Sequence, residues 1–167
     1  MQHANYKTLS LTNHSTYIFS AMFVIGNILL PQLCHLVPQG GLMLLPIYFF
    51  TLVGAYCYGI NLGLLTAVLS PVVNSMLFGM PPAAALPAIL VKSVSLAVVA
   101  SYVAHRSQRV SLGLLALVVV AYQLVGMAFE YVYTGSLYAA LQDVRLGIPG
   151  LLMQVLLGYV FIKKISK

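Results

Sequence analysis

The sequence predicts an all-α integral membrane protein with six transmembrane helices, and three observations predict it. The 167 residues are 61% hydrophobic and only 6% charged, where a soluble domain carries roughly a quarter of its residues as charges. Apolar runs of about spanning length recur along the chain, with glycine, proline or short polar stretches between them. Six spans also sort the basic residues: Lys7, Arg106, Arg109, Lys163, Lys164 and Lys167 fall on one side and Arg145 stands alone opposite. The positive-inside rule then makes both termini cytoplasmic.

The first fifteen residues are polar and carry Lys7. The first apolar run lacks a basic leader or a clear cleavage site, so it is expected to stay as the first span, about 16–33. Residues 34–41, ending in Pro38, Gln39, Gly40 and Gly41, read as a loop. The second span is expected over 42–58, with Pro46 tolerated near the helix start or as a kink facing protein. Gly59 to Asn61 is the only punctuation before the third span, 62–78, so these two are close antiparallel neighbours. Gly79, Met80, Pro81 and Pro82 end the third span. The fourth, 84–104, has Pro87 in its first turn, where a missing N–H costs least. The polar stretch His105 to Arg109 separates it from the fifth span, 110–133. A loop of about a dozen residues with Gln142, Asp143 and Arg145 leads to the sixth, 146–162. Small residues recur on helix faces, among them Gly54, Ala55, Gly63, Ala67, Ala97 and Ala100, and such faces let helices approach closely in lipid.

The whole chain, 1–167, reads as a single transmembrane domain, and any ATP use would fall to a partner. The formal charge of +6 follows from topology, so no nucleic-acid partner is expected. Cys34 and Cys57 have no CxxC spacing and are expected toward opposite faces, so no disulfide is expected. No Ser/His/Asp or similar catalytic set emerges, and an enzyme is not expected.

The spans assign depth to scattered polar residues. Asn27, Asn74 and Glu130 lie in the outer halves of the first, third and fifth spans. Lys92 lies about eight residues below the outer start of the fourth, and Gln154 is comparably placed in the sixth. Lys92 and Glu130 are the only charges expected within the hydrocarbon region. Each alone would cost several kcal/mol, so they are expected to pair with one another or with a bound ligand. Tyr48 and Tyr131 belong to an aromatic outer wall on which a flat heteroaromatic ligand would stack. A small-molecule site formed by Asn27, His35, Asn74, Lys92, Glu130, Gln154, Tyr48 and Tyr131 is therefore expected. The adjacent Cys34 and His35 do not form a metal site by themselves, but leave axial ligation of a bound macrocycle open.

The six short helices, the His35-x-x-Pro-x-Gly-Gly loop and the Asn74-x-x-x-Phe-Gly-Met-Pro-Pro hairpin make the chain resemble the substrate-binding S component of an energy-coupling factor (ECF) vitamin transporter. The similarity runs from Thr16 to Lys164. It implies a protein of a prokaryotic cytoplasmic membrane that binds a vitamin or related micronutrient at its outer face. Uptake would be driven by a membrane coupling subunit and two ATPase subunits. No intrinsic cofactor is implied, and the ligand would be a heteroaromatic vitamin or a tetrapyrrole such as cobalamin or haem. On that ligand, Lys92 would meet a carboxylate or phosphate and Glu130 a ring N–H or amine. The resemblance points to Asn27, His35, Asn74, Lys92 and Glu130, with Gln154 a further member. One feature departs from the family: the alanine-x-x-x-alanine motif of the first helix is here Ala21 followed by Ile25. Two other classes stay open, a small solitary or proton-coupled carrier with a Lys92–Glu130 relay, and a structural subunit of a membrane complex.

Overall fold

The computed structural model describes residues 8–166. In chain order the elements are α1 (His14–Cys34), α2 (Gly40–Leu44), a one-turn 3-10 helix (Pro46–Tyr48), α3 (Phe49–Tyr58), α4 (Ile60–Phe78), α5 (Leu86–Ser107), α6 (Leu112–Thr134), α7 (Leu137–Ala140), α8 (Gln142–Leu146) and α9 (Ile148–Ile165), with no strand among the described residues. Five of these, α1, α4, α5, α6 and α9, are long and apolar enough to cross a membrane. The protein is thus an all-α, multi-pass membrane protein.

Local chemistry sets the helix ends. Asn13 caps α1 by accepting from the Ser15 N–H, and Ser111 caps α6 by accepting from the Leu114 N–H, each satisfying a donor that the first turn cannot. Pro87 and Pro149 stand in the first turns of α5 and α9. Gly79 and Gly135 end α4 and α6 in the left-handed conformation, which glycine adopts without a Cβ clash.

The second span differs from its expected form. It is a broken element: α2, then Leu45 in the left-handed region (φ 47°, ψ 47°), then the 3-10 turn and α3. Pro46 disfavours the helical region for the residue before it and has no N–H to bond the preceding turn. Leu45 holds a conformation that costs about 1–2 kcal/mol, stabilised by burial of its side chain. The ten residues of α3 reach only about 15 Å, half the hydrocarbon thickness.

This short helix is nonetheless the centre of the bundle, packing against α1, α4, α5 and α9, while α5 also packs against α4 and α6. Leu52, Leu62, Leu96, Leu115 and Ile162 are fully buried there. The small faces serve this packing: a Cβ added to Gly63 would lie 2.6 Å from Ala55 Cβ and 3.3 Å from Ala97 Cβ, so α3, α4 and α5 meet backbone to backbone. At the far end of the bundle, a Cβ on Gly150 would lie 2.4 Å from the Leu44 carbonyl. Glycine is what lets α2 lie across the start of α9.

Arg106 closes α5, and Lys163 and Lys164 close α9. Thr8 lies between these two helix ends, beside His105 on one side and Ser166 on the other. One end of the bundle is therefore basic, and Arg145 in α8 belongs to the other. Lys7 and Lys167, assigned above to the basic side, lie outside the described residues. Cys34 and Cys57 are both buried and free.

Candidate functional site: a charged cluster in the non-basic half of the bundle

Lys92 stands six residues into α5, about 9 Å below its start. Its Nζ donates to Glu130 Oε2 at 2.6 Å and to Asp143 Oδ2 at 2.9 Å. Asp and Glu together number two in the whole chain, so every acid in the sequence converges on one lysine. The Lys92 side chain is 3% exposed, Asp143 10% and Glu130 19%. Gly126 on α6 makes room for the lysine stem: a Cβ there would stand 2.3 Å from Lys92 Cγ. Pairing of Lys92 with Glu130 was one of the two expected arrangements, the other being pairing with a ligand; Asp143 was assigned to a loop, and α8 carries it to the same ammonium.

Asn27 and Asn74 form a second group. The Asn27 Nδ2 donates to Thr51 Oγ1 and Ser70 Oγ, each at 3.1 Å, and its Oδ1 accepts from the Phe50 N–H at 3.1 Å. Phe50 lies in the first turn of α3, whose donors have no partner within the helix. A side chain from α1 thus caps the broken second span. Pro31, inside α1, cannot supply an N–H to the carbonyl four residues before it, that of Asn27. Asn74 Nδ2 supplies the missing bond at 2.9 Å. Asn27 was expected to meet a ligand, but its amide is fully engaged in joining α1, α3 and α4.

A third group joins α6 to α9. Tyr122 Oη donates to Gln154 Oε1 at 2.9 Å and accepts from Gln123 Nε2 at 3.2 Å. Tyr48 packs on this group, its ring centroid 5.5 Å from that of Tyr122.

Six buried polar atoms have no partner among the described residues: Ser20 Oγ and Gln32 Nε2 on α1, Asn74 Oδ1 on α4, Ser93 Oγ on α5, Gln123 Oε1 on α6 and Gln154 Nε2 on α9. A buried polar atom left unpaired costs about 1–3 kcal/mol, and native proteins leave few of them.

Of the expected site residues, Lys92 pairs with Glu130, Tyr48 and Gln154 both contact Tyr122, and Asn74 Oδ1 is left without a partner. His35 is exposed, with its ring against Gly41, and Tyr131 is 52% exposed; neither joins the polar interior. Among the described residues no group of three His, Cys, Asp or Glu side chains is placed to hold a metal. For a bound macrocycle, His35 is the accessible axial donor, since Cys34 is buried. The sequence missed Asp143 and Tyr122. The scarcity of acids was a signal for Asp143, because a buried lysine in a chain with two acids has few possible partners.

Two cavities open at the basic end. One, of about 370 Å³, is lined by Tyr56, Gly59, Tyr102, His105 and Gln108. The other, of about 500 Å³, is lined by Leu9, Asn13, Phe19, Cys57 and Ser166. Thr8 borders both. Leu9 holds this segment in place: its N–H donates to the Tyr58 carbonyl and its carbonyl accepts from Asn61 Nδ2.

No protein-family model, no curated protein and no solved structure matches the chain.

Proposed function

We propose that the protein binds a vitamin or related small micronutrient in the non-basic half of its bundle, as the substrate-binding S component of an ECF transporter in a prokaryotic cytoplasmic membrane. The observation that carries this is the set of unpartnered buried atoms, Asn74 Oδ1, Ser93 Oγ, Gln123 Oε1 and Gln154 Nε2, in the bundle that holds the Lys92–Glu130–Asp143 cluster. A bundle held together by its own polar contacts has no use for four idle hydrogen-bonding atoms. A ligand with a few polar groups gives them partners, and small-molecule sites combine apolar walls with such sparse polar points.

The broken second element, taken with α3, counts as the sixth span, with both termini cytoplasmic and the basic end inside. The α7–α8 segment, which carries Asp143, roofs the site and moves aside for ligand entry. Energy comes from a coupling subunit and two ATPase subunits that dock on the chain.

The test is affinity purification of the tagged chain from its own membranes in mild detergent, followed by mass spectrometry of what stays attached. A membrane coupling protein with two ATPases is expected, together with micronutrient uptake that stops on ATP depletion. Uptake that survives ATP depletion and follows the proton gradient would instead favour a proton-coupled carrier, for which the unbalanced carboxylate beside Lys92 is the relevant feature.

A further inference from the structure

We propose that the occupant of this site, given the small-molecule pocket proposed above, is an organic cation, held by carboxylate charge that Lys92 leaves uncompensated. The cluster contains one ammonium and two carboxylates, a balance of one negative charge. The next cation along the chain, Arg145, makes no ion pair with either carboxylate among the described residues. Its guanidinium lies 3.7 Å from the Tyr138 ring centroid and donates to Tyr138 Oη at 2.7 Å. Among the described residues the only ion pairs are the two that Lys92 makes. Arg106, Lys163 and Lys164 belong to the opposite end.

The same geometry takes Lys92 out of ligand recognition. Its Nζ already donates to both carboxylates, its stem is packed against Gly126, and its side chain is almost fully enclosed. An anionic ligand would have to displace a carboxylate from the ammonium and then sit beside it. By contrast, Glu130 Oε2 and Asp143 Oδ2 are used once each, and Glu130 is the most exposed member of the cluster.

One idle neighbour points the same way, and the others accommodate it. Asn74 Oδ1 is an acceptor whose orientation is fixed, because its Nδ2 must donate to the Asn27 carbonyl. Around Tyr122 Oη, one glutamine presents an oxygen and the other a nitrogen whichever way the amides are turned. A ligand with several N–H donors and positive charge, such as an amine, an amidine or a protonated amino-heterocycle, meets carboxylates and amide oxygens together. Its charged hydrogen bonds are the strong kind.

The experiment measures thermal unfolding of the full chain in lipid nanodiscs with probes that share a ring and differ in charge. 1-Methylnicotinamide, with its ring nitrogen methylated, is the cation, nicotinamide the neutral form and nicotinate the anion, with thiamine and biotin as larger probes of the two kinds. The cations are expected to raise the midpoint and the anions to leave it unchanged. Glu130→Gln keeps a balanced Lys92–Asp143 pair and should still fold, but bind the cations at least about tenfold more weakly. Stabilisation by nicotinate or biotin equal to that by the cations would overturn the cation assignment while leaving a small-molecule site standing. If no probe of either sign shifts the midpoint, and denaturing freshly purified protein releases no small molecule, the pocket itself is refuted and the cation with it.

Discussion

Replacing Lys92 by methionine keeps the stem that lies on Gly126 and removes only the charge. Glu130 Oε2 and Asp143 Oδ2 bond the same nitrogen at 2.6 and 2.9 Å, so they lie no more than 5.5 Å apart. Two carboxylates at that distance repel by about 3 kcal/mol at an effective dielectric constant near 20. Breaking a buried pair by removing one partner costs a similar ~3–5 kcal/mol. Because Glu130 is about a fifth exposed, the lower end applies, and Lys92→Met should cost ~3 kcal/mol. Glu130→Gln, which leaves one cation and one anion, should cost less than ~1 kcal/mol. Unfolding by SDS titration in mixed micelles near neutral pH, followed by circular dichroism, measures both. The Lys92→Met/Glu130→Gln double variant should recover part of the loss, since a single carboxylate has no like-charged neighbour. A cost below 1 kcal/mol for Lys92→Met, or equal costs for the two single variants, would refute the charge balance deduced for the cluster.

Two further outcomes follow from the packing. Asn27→Leu removes the side chain that caps α3 and bonds Thr51 and Ser70; it should destabilise by about 2 kcal/mol in the same titration, and Phe50 amide exchange should rise. Gly126→Ala places a methyl on the Lys92 stem; it should cost about 1–3 kcal/mol and weaken small-molecule binding, while alanine at the open Gly113 should do neither.

Composition and punctuation made the helical membrane class legible, because spanning runs and their Gly/Pro breaks are local properties of the sequence. That Lys92 and Glu130 each need a partner, one another or a ligand, could be read from sequence because a lone charge is intolerable at that depth. What could not be read were the contacts made by irregular backbone. Pro46 was visible, but whether it kinks or breaks the second span depends on whether something caps the freed N–H groups, and that partner, Asn27, comes from another helix. The same tertiary event turned Asn27 from a candidate ligand contact into a cap. Asp143 was hidden because a residue in a connection between spans has no depth until the connection folds inward. His35 and Tyr131 show the reverse case: an expected position near the rim does not fix which way a side chain faces.

The most direct test of a small-molecule site is a density map of the protein purified in lipid with its native ligand retained. Organic density in contact with Asn74 Oδ1, Gln123 Oε1, Gln154 Nε2 and Glu130 is the predicted result. A map in which those atoms meet only each other or ordered water, in protein that supports uptake in cells, would contradict it.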